Sequence, residues 1–145
     1  MEIAILGATG GCARFATIGA IQAGHQVTVL LRDPKKFDLG DEQIQRQLTV
    51  IQGDALNVED IKKAIDGQDV LVSSIGGTGT FGLAGFKLDS PTICGDAMKT
   101  IQQAVQQVAS PRKRIIVVST TGIAEKTRCT LPSPSSLQVA PSLTP

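Results

Sequence analysis

The chain has 145 residues, with 14 Lys+Arg against 13 Asp+Glu and a formal net charge of +1, so charge gives no case for nucleic acid or an anionic membrane surface. Its 41% apolar and 19% charged content excludes wholesale disorder, and its length suits one domain of roughly 100 to 200 residues. Cys12, Cys94 and Cys129 form no CxxC and indicate neither a disulfide framework nor a metal site, and no apolar run reaches the roughly 18 to 20 residues of a membrane span.

Residues 2–6 are a short apolar run ending at a glycine turn, as a buried parallel strand does. Arg14 to Ala23 carries Phe15, Ile18, Ile21 and several alanines, which predicts a helix packed on a sheet, stopped by Gly24. Val27–Leu31 is β-branched and apolar and reads as the second strand. Asp41–Leu48 is a short helical candidate, and Leu48–Gln52 is the third strand, ending in Gly53-Asp54. Val58, Ile61, Ala64 and Ile65 repeat at helical spacing behind an Asn57 cap, with Gly67 closing the helix.

Asp69–Ser74 is the fourth strand and runs into a glycine-rich loop from Gly76 to about Asp89. Ser90-Pro91 is a good helix start, and Ile93, Ala97, Ile101, Ala104, Val105 and Val108 continue it as an amphipathic helix. Ile115–Ser119 is the fifth strand. Apolar strands alternating with helices imply an α/β fold, a three-layer doubly wound parallel sheet of order 3-2-1-4-5, covered on both faces.

After Thr127 the chain changes character. Four of the seven prolines (Pro132, Pro134, Pro141 and Pro145) lie beyond it, and no charge follows Arg128. The expected division is one α/β domain over 1–127 and an irregular Pro/Ser/Thr-rich tail over 128–145.

The chemistry concentrates in Gly7-Ala8-Thr9-Gly10-Gly11-Cys12-Ala13, between the first strand and the first helix. Gly7 permits a tight turn, and Gly10 lets the backbone approach a pyrophosphate without an intervening Cβ. Ala13 is small where the helix must lie against the strand. The N–H groups of Thr9, Gly10, Gly11 and Cys12 then face the phosphates at a helix start. A plain tight βα turn is the bland alternative. No Gly-Lys-Ser/Thr closes the segment, which excludes a nucleotide-hydrolase P-loop.

Gly-Ala-Thr-Gly after an opening strand, then Leu31-Arg32-Asp33-Pro34-Lys35-Lys36, then Gly53-Asp54-Ala55, resembles the atypical short-chain dehydrogenase/reductases. Within them it is similar to the NmrA-like and biliverdin/flavin-reductase-like group, over about residues 1–125. The resemblance implies a Rossmann fold and a dinucleotide cofactor, and leaves the substrate open. Arg32, about 20 residues beyond the turn, replaces the carboxylate of NAD sites and suits a 2′-phosphate, with Lys35 adding charge. NADP(H) is therefore expected in preference to NAD; a solvated basic turn is the alternative. Asp54 and Ala55 match the family position beside the adenine, and Asp54 also reads as a plain turn residue. Ser74, Ile75, Gly76 and Gly77 end the fourth strand at the carboxyl edge and leave room for ribose and nicotinamide. Ser119 and Thr120 match the position facing nicotinamide and substrate.

Ordinary short-chain dehydrogenases donate a proton from Tyr, and these residues contain none. Hydride transfer to a quinone, flavin or carbonyl needs less, because the cofactor carries the chemistry. Ser119 is then the candidate catalytic group, as a hydroxyl that orients an acceptor. His25 reads as a solvated turn histidine, Cys12 and Cys94 as packing residues, and Arg112-Lys113-Arg114 as a solvated charge run. The expected protein is a cytoplasmic NADPH-dependent reductase of a small acceptor, without nucleic-acid or membrane partners. The alternative is a non-catalytic NADP(H)-sensing module with a protein partner, or an inactive shortened form. A chain lacking its relatives' carboxyl-terminal part is also expected to leave apolar surface uncovered and to self-associate.

Overall fold

The computed structural model of the protein describes residues 1–77, 79–82, 85–88, 92–108 and 114–118. In chain order the elements are β1 (Glu2–Leu6), α1 (Gly11–Gln22), β2 (Gln26–Leu31), a single 3₁₀ turn (Pro34–Lys36) and α2 (Glu42–Gln45). β3 (Leu48–Gln52), α3 (Val58–Ile65), β4 (Val70–Ser73), β5 (Gly79–Gly82) and β6 (Gly85–Leu88) follow, then α4 (Ile93–Gln107) and β7 (Arg114–Val117).

Alternation along β1 sets the layers. Ile3 and Ile5 face one side of the sheet and Ala4 and Leu6 the other, and all four are buried. On the first side Val27, Val29 and Leu31 of β2 pack with Ala13 and Ile21 of α1 and with Phe37 and Leu39. On the second, Leu30 and Leu71 meet Ile61, Ala64 and Ile65 of α3 and Ile101 and Ala104 of α4. Each buried Ile or Leu contributes about 1.5–3 kcal/mol, so these two layers fix the helices on the sheet. All pairings in the five-stranded sheet are parallel, in the order β3-β2-β1-β4-β7. This is the doubly wound order expected from the sequence, with β7 as the fifth strand.

Local signals explain most boundaries. Asn57 Oδ1 accepts the Glu59 N–H at 2.9 Å and caps α3, and Asp41 Oδ1 accepts from Gln43 at 2.8 Å to cap α2. Gly24, at φ +78°, ends the α1 segment with its N–H on Ile21 O. Buried Thr17 satisfies its hydroxyl on Ala13 O at 2.8 Å.

Three expectations need correction. α1 begins at Gly11, three residues before the apolar periodicity becomes visible. Phe15 does not pack on the sheet and is 76% exposed: the buried stripe runs Ala13, Thr17, Ile21, and Phe15 lies two residues, about 200°, around the helix from Ala13. The glycine-rich loop contains an antiparallel hairpin, with Phe81 opposite Phe86. Two four-residue strands rich in glycine carry too little alternation to announce themselves. Along β7 the sheet is not covered, and every residue of that strand is exposed. The helix start at Ser90-Pro91, the Arg112-Lys113 pair and the tail over 128–145 lie outside the described residues.

Candidate dinucleotide site

Parallel strands bring their carboxyl ends to one edge, and the sequence places its candidate residues there. β1 ends at Leu6, and Gly7 turns the chain at φ +76°. Leu6 O accepts the Ser74 N–H at 3.0 Å, so the ends of β1 and β4 leave the sheet side by side. Gly10 N–H closes the turn on Gly7 O at 2.9 Å, and Gly10 O accepts the first helical bond, from Arg14 N–H at 2.9 Å. Ala8 and Ala13 are completely buried, which pins the turn from beneath, while Thr9, Gly10, Gly11 and Cys12 are exposed.

Helix α1 opens without a side-chain cap and without an acidic residue in its first turn. Its leading N–H groups have no intrahelical partner and carry the positive end of the helix dipole. α2 and α3 differ: each is capped by a side chain and carries acidic residues in its first turn. An anion therefore meets open donors at α1, as the glycine spacing implies.

The remaining strand ends line the same edge. Arg32 follows β2 and is exposed, and among the described residues no ion pair engages its guanidinium. Asp33 Oδ1 accepts from Lys35 N–H at 3.2 Å, so Asp33 caps the 3₁₀ turn that presents exposed Lys35. Its presence beside Arg32 is turn chemistry. After β3, Gly53 N–H is held by Leu31 O at 2.9 Å, Asp54 is exposed, and Ala55 packs half-buried against the core. After β4, Ser74 and Ile75 are half-buried and Gly76 and Gly77 exposed. Ser119 and Thr120, expected to complete the nicotinamide end, lie outside the described residues.

Both described cysteines correct the packing reading. Cys12 and Cys94 are exposed, and Cys94 donates its thiol to Ile75 O at 3.4 Å across the carboxyl edge. Helical periodicity could not announce that contact, because Cys94 stands at the start of α4, where the helix meets the strand-end loop. His25 is half-buried at the amino edge, away from these residues. Sequence reasoning also missed Asp60 in α3, whose carboxylate accepts the Asp54 N–H at 3.1 Å and pairs with Lys63 at 3.4 Å. The Asp54 N–H bond, opposed by burial and assisted by Lys63, holds the Asp60 carboxyl below the usual carboxylate range. No cluster that could hold a metal ion and no helix long and apolar enough to cross a membrane occurs among the described residues.

A parallel sheet of this order, with a glycine turn running into an uncapped helix at its carboxyl edge, defines a Rossmann-type dinucleotide-binding protein. Residues 7–143 match the NAD(P)H-binding family, and the chain belongs to that family. Reductase pytE of Aspergillus terreus is 30% identical over 145 residues, covering 87% of this chain and 55% of that protein. A Rossmann-fold NAD(P)-binding family protein from Shigella flexneri is 25% identical with a TM-score of 0.61, over 86% of this chain and 54% of that one. A short-chain dehydrogenase/reductase from Veillonella parvula, in complex with NADP, shares the fold at 22% identity and a TM-score of 0.62, over 83% and 48% of the two chains. The chain spans about half the length of the relatives it matches.

Proposed function

We propose that the chain binds NADP(H) and passes hydride from NADPH to a small acceptor such as a quinone, flavin or carbonyl compound. The observation that carries this reading is the open amino end of α1 behind Gly7 and Gly10, where uncapped N–H groups stand ready for an anion such as a pyrophosphate. Thr9, Gly10, Gly11 and Cys12 would meet the phosphates, with Ala13 seating the helix. Arg32 and Lys35 would take the 2′-phosphate, which a planar guanidinium can chelate through two donors. Asp54 and Ala55 would border the adenine, and Ser74 to Gly77 the ribose and nicotinamide.

The cofactor supplies the hydride when bound. These 145 residues contain no Tyr, so the proton that follows hydride to a carbonyl or quinone would come from solvent. Ser119 would orient the acceptor as a hydrogen-bond donor; a serine hydroxyl is too weak an acid to serve as a strong proton donor at neutral pH. The same absence of Tyr favours a second reading, a non-catalytic NADP(H)-sensing module that presents its surface to a protein partner.

Calorimetric titration with NADPH and NADH, followed by NADPH oxidation with a quinone and flavin panel, separates the readings. Turnover supports the reductase. Tight binding without turnover supports the sensor, and no binding of either nucleotide overturns both.

A further inference from the structure

We infer that Asp60 is a positioning residue for the adenine end of the nucleotide site, an inference that rests on the reading above. Three contacts fix Asp54. Its N–H donates to Asp60 Oδ2 at 3.1 Å, its carbonyl accepts from Asn57 N–H at 3.0 Å, and its Oδ1 accepts from Leu56 N–H at 3.0 Å. Asp54 Oδ2 is left as the acceptor for a donor on the ligand, and the exocyclic amine of an aminopurine is such a donor.

The Leu56 and Asn57 contacts are made by backbone N–H groups of the turn and the α3 cap; the Asp60 contact is made by a side chain within α3 itself. Asp60 precedes Ile61, which is fully buried, so α3 is seated on the core and Asp60 with it. The neighbouring backbone is shaped around this carboxylate. A Cβ on Gly53 would stand 2.7 Å from Asp60 Cβ and 2.8 Å from its Cγ, so only glycine admits Asp60 this close to the turn. Lys63 holds the other carboxylate oxygen at 3.4 Å. Asp60 therefore transmits the position of α3 to the carboxylate of Asp54 without touching the ligand itself.

The test compares NADPH with its reduced hypoxanthine analogue, in which a carbonyl oxygen replaces the exocyclic amine. Affinities are measured by calorimetry on the full chain. The unmodified protein is expected to prefer the adenine form by at least about tenfold, the value of one charge-assisted hydrogen bond. Asp60→Ala is expected to bring that ratio to within about twofold of unity, as Asp54→Ala does, and Asp60→Asn, which keeps an acceptor, to retain most of it. Should Asp60→Ala fail to fold by circular dichroism, Asp60→Glu serves instead, because its extra methylene moves the carboxylate off the Asp54 N–H. An undiminished ratio in a folded Asp60→Ala or Asp60→Glu protein overturns the inference alone. Equal affinities in the unmodified protein also overturn it, while leaving dinucleotide binding intact. Failure to bind either nucleotide overturns the functional reading and the inference together.

Discussion

The Cβ that Gly7 lacks would stand 2.6 Å from the carbonyl oxygen of Ser74. The turn after β1 and the chain leaving β4 thus meet backbone to backbone, and the two segments that flank the proposed cofactor cleft behave as one unit. Gly7 is demanded twice, by that approach and by its φ of +76°. Gly7→Ala is expected to lower stability by about 2–4 kcal/mol, combining left-handed strain with overpacking against an immobile carbonyl. Urea unfolding followed by circular dichroism measures it. A loss within a few tenths of a kcal/mol would show that the two segments move apart freely.

Gly10 makes the opposite case. Its backbone is extended, at φ −76° and ψ 152°, a conformation open to any residue, and its Cβ would meet Gly7 O at 3.3 Å. Gly10→Val should therefore fold, at a cost of about 1 kcal/mol, yet lose dinucleotide binding because the side chain projects where a pyrophosphate must approach. Undiminished binding by the folded variant places the cofactor elsewhere.

These two glycines also show how far the sequence could be read. Gly7 and Gly10 follow an apolar strand and precede a helix, so their spacing carried the turn, while the alternation of apolar strands with helices carried the fold class and the strand order. The cap at Asn57 was equally local. What depended on tertiary placement was not legible. Phe15 looked like a packing residue until the stripe through Ala13, Thr17 and Ile21 put it on the far face. The β5–β6 hairpin was hidden by glycine-rich strands with little alternation. Asp60 sits six residues beyond Asp54 in an ordinary helical turn, and only folding brings its carboxylate onto the Asp54 N–H. Cys94 likewise gained its partner, Ile75 O, across nineteen residues.

Acid titration reports on the Asp60 contact. Its carboxyl is held below the ordinary value of 3.8, mainly by the Asp54 N–H and further by Lys63. A carboxylate with a depressed folded-state pKa contributes stability that is fully present above the unfolded value and is lost as pH falls through the folded one. The unmodified protein should therefore lose stability more steeply than Asp60→Asn as pH drops below about 4, with the gap between them narrowing on further acidification. Urea midpoints at a series of pH values check this. Parallel curves for the two proteins would mean that the contact does not persist in solution.

The proposed preference for NADPH turns on Arg32. Its guanidinium follows β2, is exposed, and joins none of the ion pairs among the described residues, so a phosphate need not displace an existing carboxylate. NADPH should bind at least about tenfold more tightly than NADH, in line with a charge-assisted bidentate contact of roughly 1.5–3 kcal/mol. Arg32→Glu should erase or reverse that preference, because a carboxylate repels the 2′-phosphate and accepts from a ribose 2′-hydroxyl. Paired calorimetric titrations of both proteins give the answer, and equal affinities in the unmodified protein would remove the 2′-phosphate from the proposal.

The exposed fifth strand of the sheet makes a last prediction. Strand β7 pairs with β4 on one side, and among the described residues its other edge has no partner. Ile116 and Val118, on one face, are 53% and 44% exposed, and Ile115 and Val117, on the other, are 36% and 48%. β1 and β4, by contrast, are covered by helices on both sides. An apolar strand with an open edge and open faces favours pairing with another chain, because each unpaired N–H and C=O offers a ladder site and each apolar side chain gains by leaving water. Purified protein is expected to self-associate in a concentration-dependent way. The Ile116→Lys, Val118→Lys double substitution should weaken this without unfolding the chain: both side chains are solvent-facing, and charge on an edge strand opposes pairing. Sedimentation velocity at several concentrations distinguishes the cases. A monomer throughout the range, or an oligomer indifferent to both lysines, would place any association surface away from β7.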